Sequence, residues 1–393
     1  LFILIMWLMF YVTFELGAFP QDWIDAGFTS LSNWLNEVMP DNIWRSLFVD
    51  GIIAGIGAVC SFVPNILLLY FFISIMEDSG YMSRAAFIMD NLMHKMGLHG
   101  KSFIPMLMGF GCNAPAIMAT RTIESRSSRL ITILVIPFMS CTARLPIYVL
   151  LAGTFFPNHA ATIMIFLYLL GIVVAAISAK LLRAVKFGKD ETPFVMELPP
   201  YRMPTVVAVL KHMWDKCYQY LKKIGTVILG ASVIIWFLSY FPRPTIETTN
   251  EQGEIVVVQA EASQTDFENS YLGRFGKLVA PVMAPLGLDW KASVAIIASL
   301  PAKEIAVSTL GVLYGNEDED TLGDSLVASN SFTNASALAF MVFMLLCFPC
   351  MATIGAIYGE TGKKRWTVFS VIYPTFVAWV MAWITFLIGC LFM

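Results

Sequence analysis

Charge is what this sequence has least of. Asp, Glu, Lys and Arg make up 13% of its 393 residues, about half the share of an ordinary soluble domain, so a water-soluble fold of this length is excluded. Histidine is scarce as well: the four residues His94, His99, His159 and His212 form no H-x-x-x-H pair, which leaves a catalytic zinc site without its ligands. No cysteine falls in an acidic loop. Cys60, Cys112, Cys141, Cys347, Cys350 and Cys390 sit within apolar runs and Cys217 in a basic segment, so a secreted, disulfide-stapled scaffold is excluded. Gly100-Lys101-Ser102 resembles the end of a phosphate loop, but position 95, where the loop needs its first glycine, is Lys. This chain has no nucleotide loop there, and no nucleophile–base pair marks an intramembrane enzyme.

Long apolar runs are what it has instead. The composition is 58% hydrophobic and the mean hydropathy is +0.71. Apolar stretches recur at 1–14, 51–75, 130–156, 160–182, 224–241, 292–313, 335–358 and 368–392. All but the first approach or exceed the roughly 20 residues that cross a bilayer core. The first begins at Leu1 without a Met and is too short to span, which leads us to expect further chain upstream rather than a cleaved signal peptide.

The sparse charge is sorted by sign. Arg121, Arg126 and Arg129 form one basic loop. Lys180, Arg183, Lys186, Lys189, Arg202, Lys211, Lys216, Lys222 and Lys223 fill a second, and Lys363, Lys364 and Arg365 a third. The other loops are acidic: Asp22, Asp25, Glu37, Asp41 and Asp50; then Glu247, Glu251, Glu254, Glu261, Asp266 and Glu268; then 317–320 and Asp324. The positive-inside rule puts the basic loops in the cytoplasm and the acidic ones outside.

The sequence also repeats itself. Residues 84–98 resemble 274–288, with Arg84, Met93, Gly97 and Lys101 opposite Arg274, Met283, Gly287 and Lys291. Further on, 113–116 falls opposite 299–302, and 137–143 opposite 348–352. Threaded through the charge pattern, the Arg84 segment runs outward and the Arg274 segment inward. The fold expected is therefore an all-α polytopic membrane protein, an inverted repeat of two five-helix units with interrupted helices and one preceding helix. Such repeats hold their transport site near the bilayer midplane, between the halves. The expected divisions are 1–50 (a first, truncated membrane helix and outer loop), 51–190 (first repeat), 191–223 (basic cytoplasmic linker) and 224–393 (second repeat, with outer loops 242–270 and 314–335). The short pieces 82–98 and 272–286 either cross or re-enter as hairpin arms.

Four interruptions fall inside apolar sequence: Cys112-Asn-Ala-Pro115, Ser140-Cys-Thr-Ala-Arg-Leu-Pro146, Ser299-Leu-Pro-Ala-Lys-Glu304 and Cys347-Phe-Pro-Cys350. In lipid, broken backbone survives only where protein buries it or where it lines a polar cavity. The candidate metal ligands are Cys112, Asn113, Cys141, Ser299, Glu304 and Cys350. Sulfur, amide and carboxylate together suit a labile, borderline divalent ion that must bind and then leave. Packing is the ordinary role of a buried thiol and is the reading for Cys60, Cys390 and Cys347, the last because it lacks a repeat partner. Glu304 either carries a cation or proton, or forms a structural pair with Lys303, Arg144 or Arg274. Most methionines, including Met82, Met89, Met93 and Met96, read as packing.

The segments 109–116, 119–124, 137–146, 299–304 and 348–353 together resemble the membrane domain of the FeoB family of bacterial ferrous-iron transporters, over nearly the whole chain. The resemblance implies uptake of Fe(II) across the bacterial cytoplasmic (inner) membrane through a gate-type domain. It implies no cofactor bound to this chain: GTP and Mg belong to an N-terminal GTPase domain that is absent here, and this chain is no enzyme. The partners implied are Fe(II), the lipid bilayer, that GTPase domain, small cytoplasmic accessory proteins of iron uptake, and further copies of the chain. The alternatives are a gate-fold transporter of another divalent metal or of a nucleoside-like solute, and a membrane assembly or sensor subunit without transport.

Overall fold

The computed structural model describes residues 2–40, 42–187, 201–242, 245–249, 255–259, 269–314, 319–329 and 331–392. Helices make up nearly all of them. Five are long and apolar enough to cross a membrane: Ile43–Asp78, Arg126–Phe155, Ala160–Val185, Asn334–Thr361 and Lys364–Leu391. The helices Thr226–Tyr240 and Ile305–Tyr314 are apolar but shorter. In the most apolar stretch of Arg126–Phe155 and of Asn334–Thr361, 72% of residues are buried, against 22% in Ala160–Val185 and Lys364–Leu391. The first two are therefore interior helices, and the last two turn apolar side chains such as Ile165, Leu169, Ile177, Ile372 and Phe376 outward, as a lipid-facing helix does.

The chain forms two compact units. One comprises Leu1–Thr142, Tyr168–Gly230 and Met351–Pro374; the other comprises Ala143–Leu167, Ala231–Cys350 and Thr375–Met393.

In the first unit the helix Phe2–Val38 packs against Val63–Asp78. It runs well past the opening apolar stretch, through Asp22, Asp25 and Glu37, which the charge pattern reads as a loop. The reason lies on its neighbour. Asn65 Nδ2 donates to Gln21 Oε1 at 2.7 Å and Ser61 Oγ donates to Asp25, so the polar positions of the extension have partners. At the end bearing the basic loops, Glu360 gathers two arginines. Arg121 donates from Nε to both carboxylate oxygens, at 2.9 and 2.8 Å, and Arg129 donates at 2.9 Å. The carboxylate in turn holds the Arg121 guanidinium above its ordinary pKa by hydrogen bonding.

In the second unit the helices Tyr271–Met283, Trp290–Ala298 and Ile305–Tyr314 pack in sequence around Leu272, Val294, Ala298 and Leu313. The helix Asn334–Leu346 packs against Leu145–Phe155. It is buried at nearly every position, as an interior helix that is apolar all round should be. A reciprocal cap starts it: Thr333 Oγ1 accepts from Ser336 N, and Ser336 Oγ accepts from Thr333 N. The expected outer loop 314–335 contains the helix Glu319–Ala328. The expected loop 242–270 contains an antiparallel hairpin, 245–249 with 255–259, pairing Glu247 with Val257, which qualifies the all-α expectation. Lys189, Glu251, Glu254, Glu261, Asp266, Glu268 and residues 317–318 lie outside the described residues.

The two segments matched at 84–98 and 274–288 end alike. Gly97 has φ 75° and Gly287 φ 69°, the left-handed region in which a glycine closes a helix at no steric cost. Each is followed by a buried leucine, Leu98 and Leu288.

Candidate functional site

Two helix interruptions meet in the first unit. The helix Phe103–Met108 stops at Gly109, and a new one, Asn113–Ala119, starts after Cys112, whose backbone is extended. The second interruption follows Ile136–Phe138 and spans residues 139–141. Thr142 joins them: its amide donates to the Gly111 carbonyl at 3.3 Å and its hydroxyl donates to the same oxygen at 3.0 Å. Gly109 lets the two segments approach, since a Cβ there would lie 3.0 Å from the Met106 carbonyl oxygen and 3.0 Å from Met139 Cβ. The bonds fix the backbone between Cys112, the residue after Gly111, and Cys141, the residue before Thr142. Asn113 is 4% exposed, and its Oδ1 has no hydrogen-bond donor. A buried acceptor left without a donor costs about 1–3 kcal/mol.

A second junction lies in the second unit. The helix Trp290–Ala298 is capped by Ser299 and the helix Asn334–Leu346 by Cys347. Between them sits Lys303, 2% exposed. Its Nζ donates to Cys347 Sγ at 3.2 Å and to Ser299 Oγ at 3.4 Å, and lies 4.0 Å from the centroid of the Phe348 ring.

The structure thus brings Cys112, Asn113 and Cys141 to one junction and Ser299 to the other. Cys350 is half-buried at the end of the 347–350 interruption, and Glu304 is half-buried beside Lys303 in sequence. Glu304 makes no ion pair with Lys303, Arg144 or Arg274 among the described residues. No group of three or more His, Cys, Asp or Glu side chains stands ready to hold a metal among the described residues. No disulfide joins any of the seven cysteines. Cys347, read from sequence as packing, is fully buried and also accepts from the buried Lys303. The available signal was Lys303 itself, a cation inside an apolar run.

Apolar helices of spanning length, interrupted at polar junctions, mark a polytopic membrane protein. The Gate family, described as nucleoside recognition, matches residues 59–155 and 221–364, and the C terminus of ferrous iron transport protein B matches 164–216. The chain belongs to the FeoB family, of which it forms the membrane portion. It is 50% identical, over its whole length, to half of a Porphyromonas gingivalis protein named as a fusion of Fe(2+) transport protein A with Fe(2+) transporter FeoB. It is 44% identical to the Fe(2+) transporter FeoB of Campylobacter jejuni, over 98% of this chain and 62% of that protein. The Staphylococcus aureus Fe(2+) transporter FeoB is 40% identical over the whole chain and 57% of the relative. The chain therefore spans between half and just under two thirds of the length of these curated relatives. No solved structure matches it.

Proposed function

We propose that this chain carries Fe(II) across the bacterial cytoplasmic membrane into the cell, and that Cys112, Asn113, Cys141, Glu304 and Cys350 handle the ion, while Ser299, the sixth candidate, is engaged by Lys303. The observation that carries this reading is the unpartnered, buried Asn113 Oδ1 at a junction that also holds two thiol positions. Fe(II) is a borderline ion, and a thiol–amide–carbonyl set binds it without the grip of a closed thiolate cage. An ion that must leave again needs that moderate affinity. The names of the relatives support iron as the cargo.

The inverted repeat belongs to the same reading. The left-handed glycine and buried leucine that end both matched helices support it, and interrupted helices in inverted repeats suit alternating access. Coupling to GTP hydrolysis is assigned to a GTPase domain elsewhere in the full-length protein, with GTP and Mg bound there. The fused name of the Porphyromonas gingivalis relative supports an accessory transport protein as a partner.

Radiolabelled Fe(II) uptake by cells carrying full-length protein with Cys112→Ser and Cys141→Ser together tests the thiols. A strong loss at normal expression is expected; unchanged uptake would remove them as ligands. A second reading, transport of a nucleoside-like solute, is favoured by the description of the Gate family. Metal-independent binding of a nucleoside to purified protein would support it. Fe(II) flux into liposomes under reducing conditions separates both from an assembly subunit that transports nothing.

A further inference from the structure

Lys303 is buried among groups that do not ordinarily hold a lysine. Removing an ammonium from water is costly unless a partner compensates, and the usual partner is a carboxylate. Among the described residues none lies within ion-pair distance of Nζ. Its partners are a sulfur, a hydroxyl oxygen and an aromatic face.

Those partners are arranged for a cation. The Ser299 hydroxyl donates its proton to the Ile296 carbonyl at 2.7 Å, and the Cys347 thiol has two carbonyl acceptors in reach, Met344 at 3.6 Å and Phe348 at 3.8 Å. With these carbonyls taking their protons, both atoms have lone pairs left for Nζ. Ser299 and Cys347 are also the C-terminal caps of their helices. A helix C-terminus carries about half a negative charge, so two negative helix ends converge on the ammonium. The Phe348 face, 4.0 Å away, adds a third favourable field. Sulfur and oxygen donors at two helix C-termini are what a borderline divalent metal would choose.

We propose that Ser299 and Cys347 form a latent metal site which Lys303 fills as a tethered cation, making Lys303 a specificity-determining residue that keeps a divalent ion out of this junction. The physiological meaning of this site rests on the transport reading above, but its existence does not. The junction at Cys112 and Asn113 receives metal, while the junction at Cys347 is occupied from within and becomes a metal site only when the ammonium is removed.

The test uses full-length protein in detergent with Cd(II) as the probe, read by bound metal per chain and by thiolate-to-cadmium charge-transfer absorption. Lys303→Met is expected to gain one Cd(II) and the corresponding absorption. Adding Cys347→Ser should abolish the gain, and Lys303→Arg, which keeps the charge, should show none. A monodisperse Lys303→Met or Lys303→Gln protein with the wild-type Cd(II) count overturns the proposal. If neither neutral variant is recovered, Cys347→Ser alone decides. It should leave the wild-type Cd(II) count unchanged, because Lys303 holds that sulfur, and a loss of one Cd(II) overturns the idea. Binding is read without flux. A gained site in the variant, with no Fe(II) flux from the wild-type protein, would refute the transport reading alone, and wild-type flux without a gained site in the variant would refute this one alone.

Discussion

The Gly111 carbonyl oxygen accepts two hydrogen bonds from one residue, Thr142, at 3.3 Å from its amide and 3.0 Å from its hydroxyl. Interrupting a helix leaves carbonyls without partners, and in an apolar interior each must be satisfied by protein. Thr142 does this for the first interruption from within the second, so the two breaks stabilise each other. In the other unit Lys303 ties Ser299 to Cys347. Both junctions join two helix breaks, one with a neutral bond and the other with a cation.

Thr142→Val keeps the shape of the side chain and the amide bond but deletes the hydroxyl bond to Gly111. The expected loss is about 1 kcal/mol of stability, seen as a lowered thermal midpoint in detergent, with reduced Fe(II) uptake per molecule at the surface. Thr142→Ser retains the donor and should restore both. Equal behaviour of the Val and Ser variants would show that the hydroxyl does not hold the junction.

Glu360 is the common acceptor of Arg121 and Arg129, with its side chain only 4% exposed. Glu360→Gln keeps the size of the group and removes its charge. The arginines are 45% and 30% exposed, so water recovers part of their interaction, and a loss of about 1–2 kcal/mol is expected. Thermal unfolding of wild type and variant should show it, and about 1 M salt should shrink the difference only partly because the carboxylate is enclosed.

The Glu124 carboxyl is held below its ordinary pKa, first by the hydrogen bond that Lys101 Nζ donates at 2.6 Å and then by the charge of that lysine. A depressed carboxyl pKa stabilises the folded chain above the unfolded value, and the contribution disappears as pH falls through the folded one. Glu124→Gln should therefore differ from wild type at neutral pH and converge with it in acid, below about pH 4. The carboxylate side chain is 85% exposed, so the difference should be small and should vanish in about 1 M salt. A difference that persists in acid or in salt would mean that the pair is not its source.

The interruptions were legible in the sequence because glycine, proline and polar residues inside apolar runs have few other uses. The places of Cys112, Asn113 and Cys141 beside those breaks were legible for the same reason. The helical extension through Asp25 was not. Acidic residues near an apolar run read as a loop, and only the partners Ser61 and Asn65, on another helix, allow the helix to continue. Nor was the Lys303–Cys347 contact, whose residues are 44 apart in sequence. Helical periodicity describes the face of a single helix, and this contact exists only because two helix ends converge.

Asn113 gives the sharpest separation of function from stability. Its Oδ1 is buried without a donor, so in the absence of cargo the amide costs stability rather than supplying it. Replacing an unsatisfied polar group by an apolar one of similar shape is close to neutral or stabilising. Asn113→Leu should therefore keep or raise the thermal midpoint while Fe(II) uptake collapses. Changing a residue that merely supports a metal ligand costs about 10–100-fold, and losing the ligand atom should cost no less. Asn113→Asp supplies a full charge at the same place. It should bind a divalent ion more tightly and release it more slowly, giving a lower KM with a lower maximal rate. A lowered midpoint in Asn113→Leu, with uptake reduced only in proportion to folded protein, would make Asn113 a structural residue and remove the observation on which the proposed iron site rests.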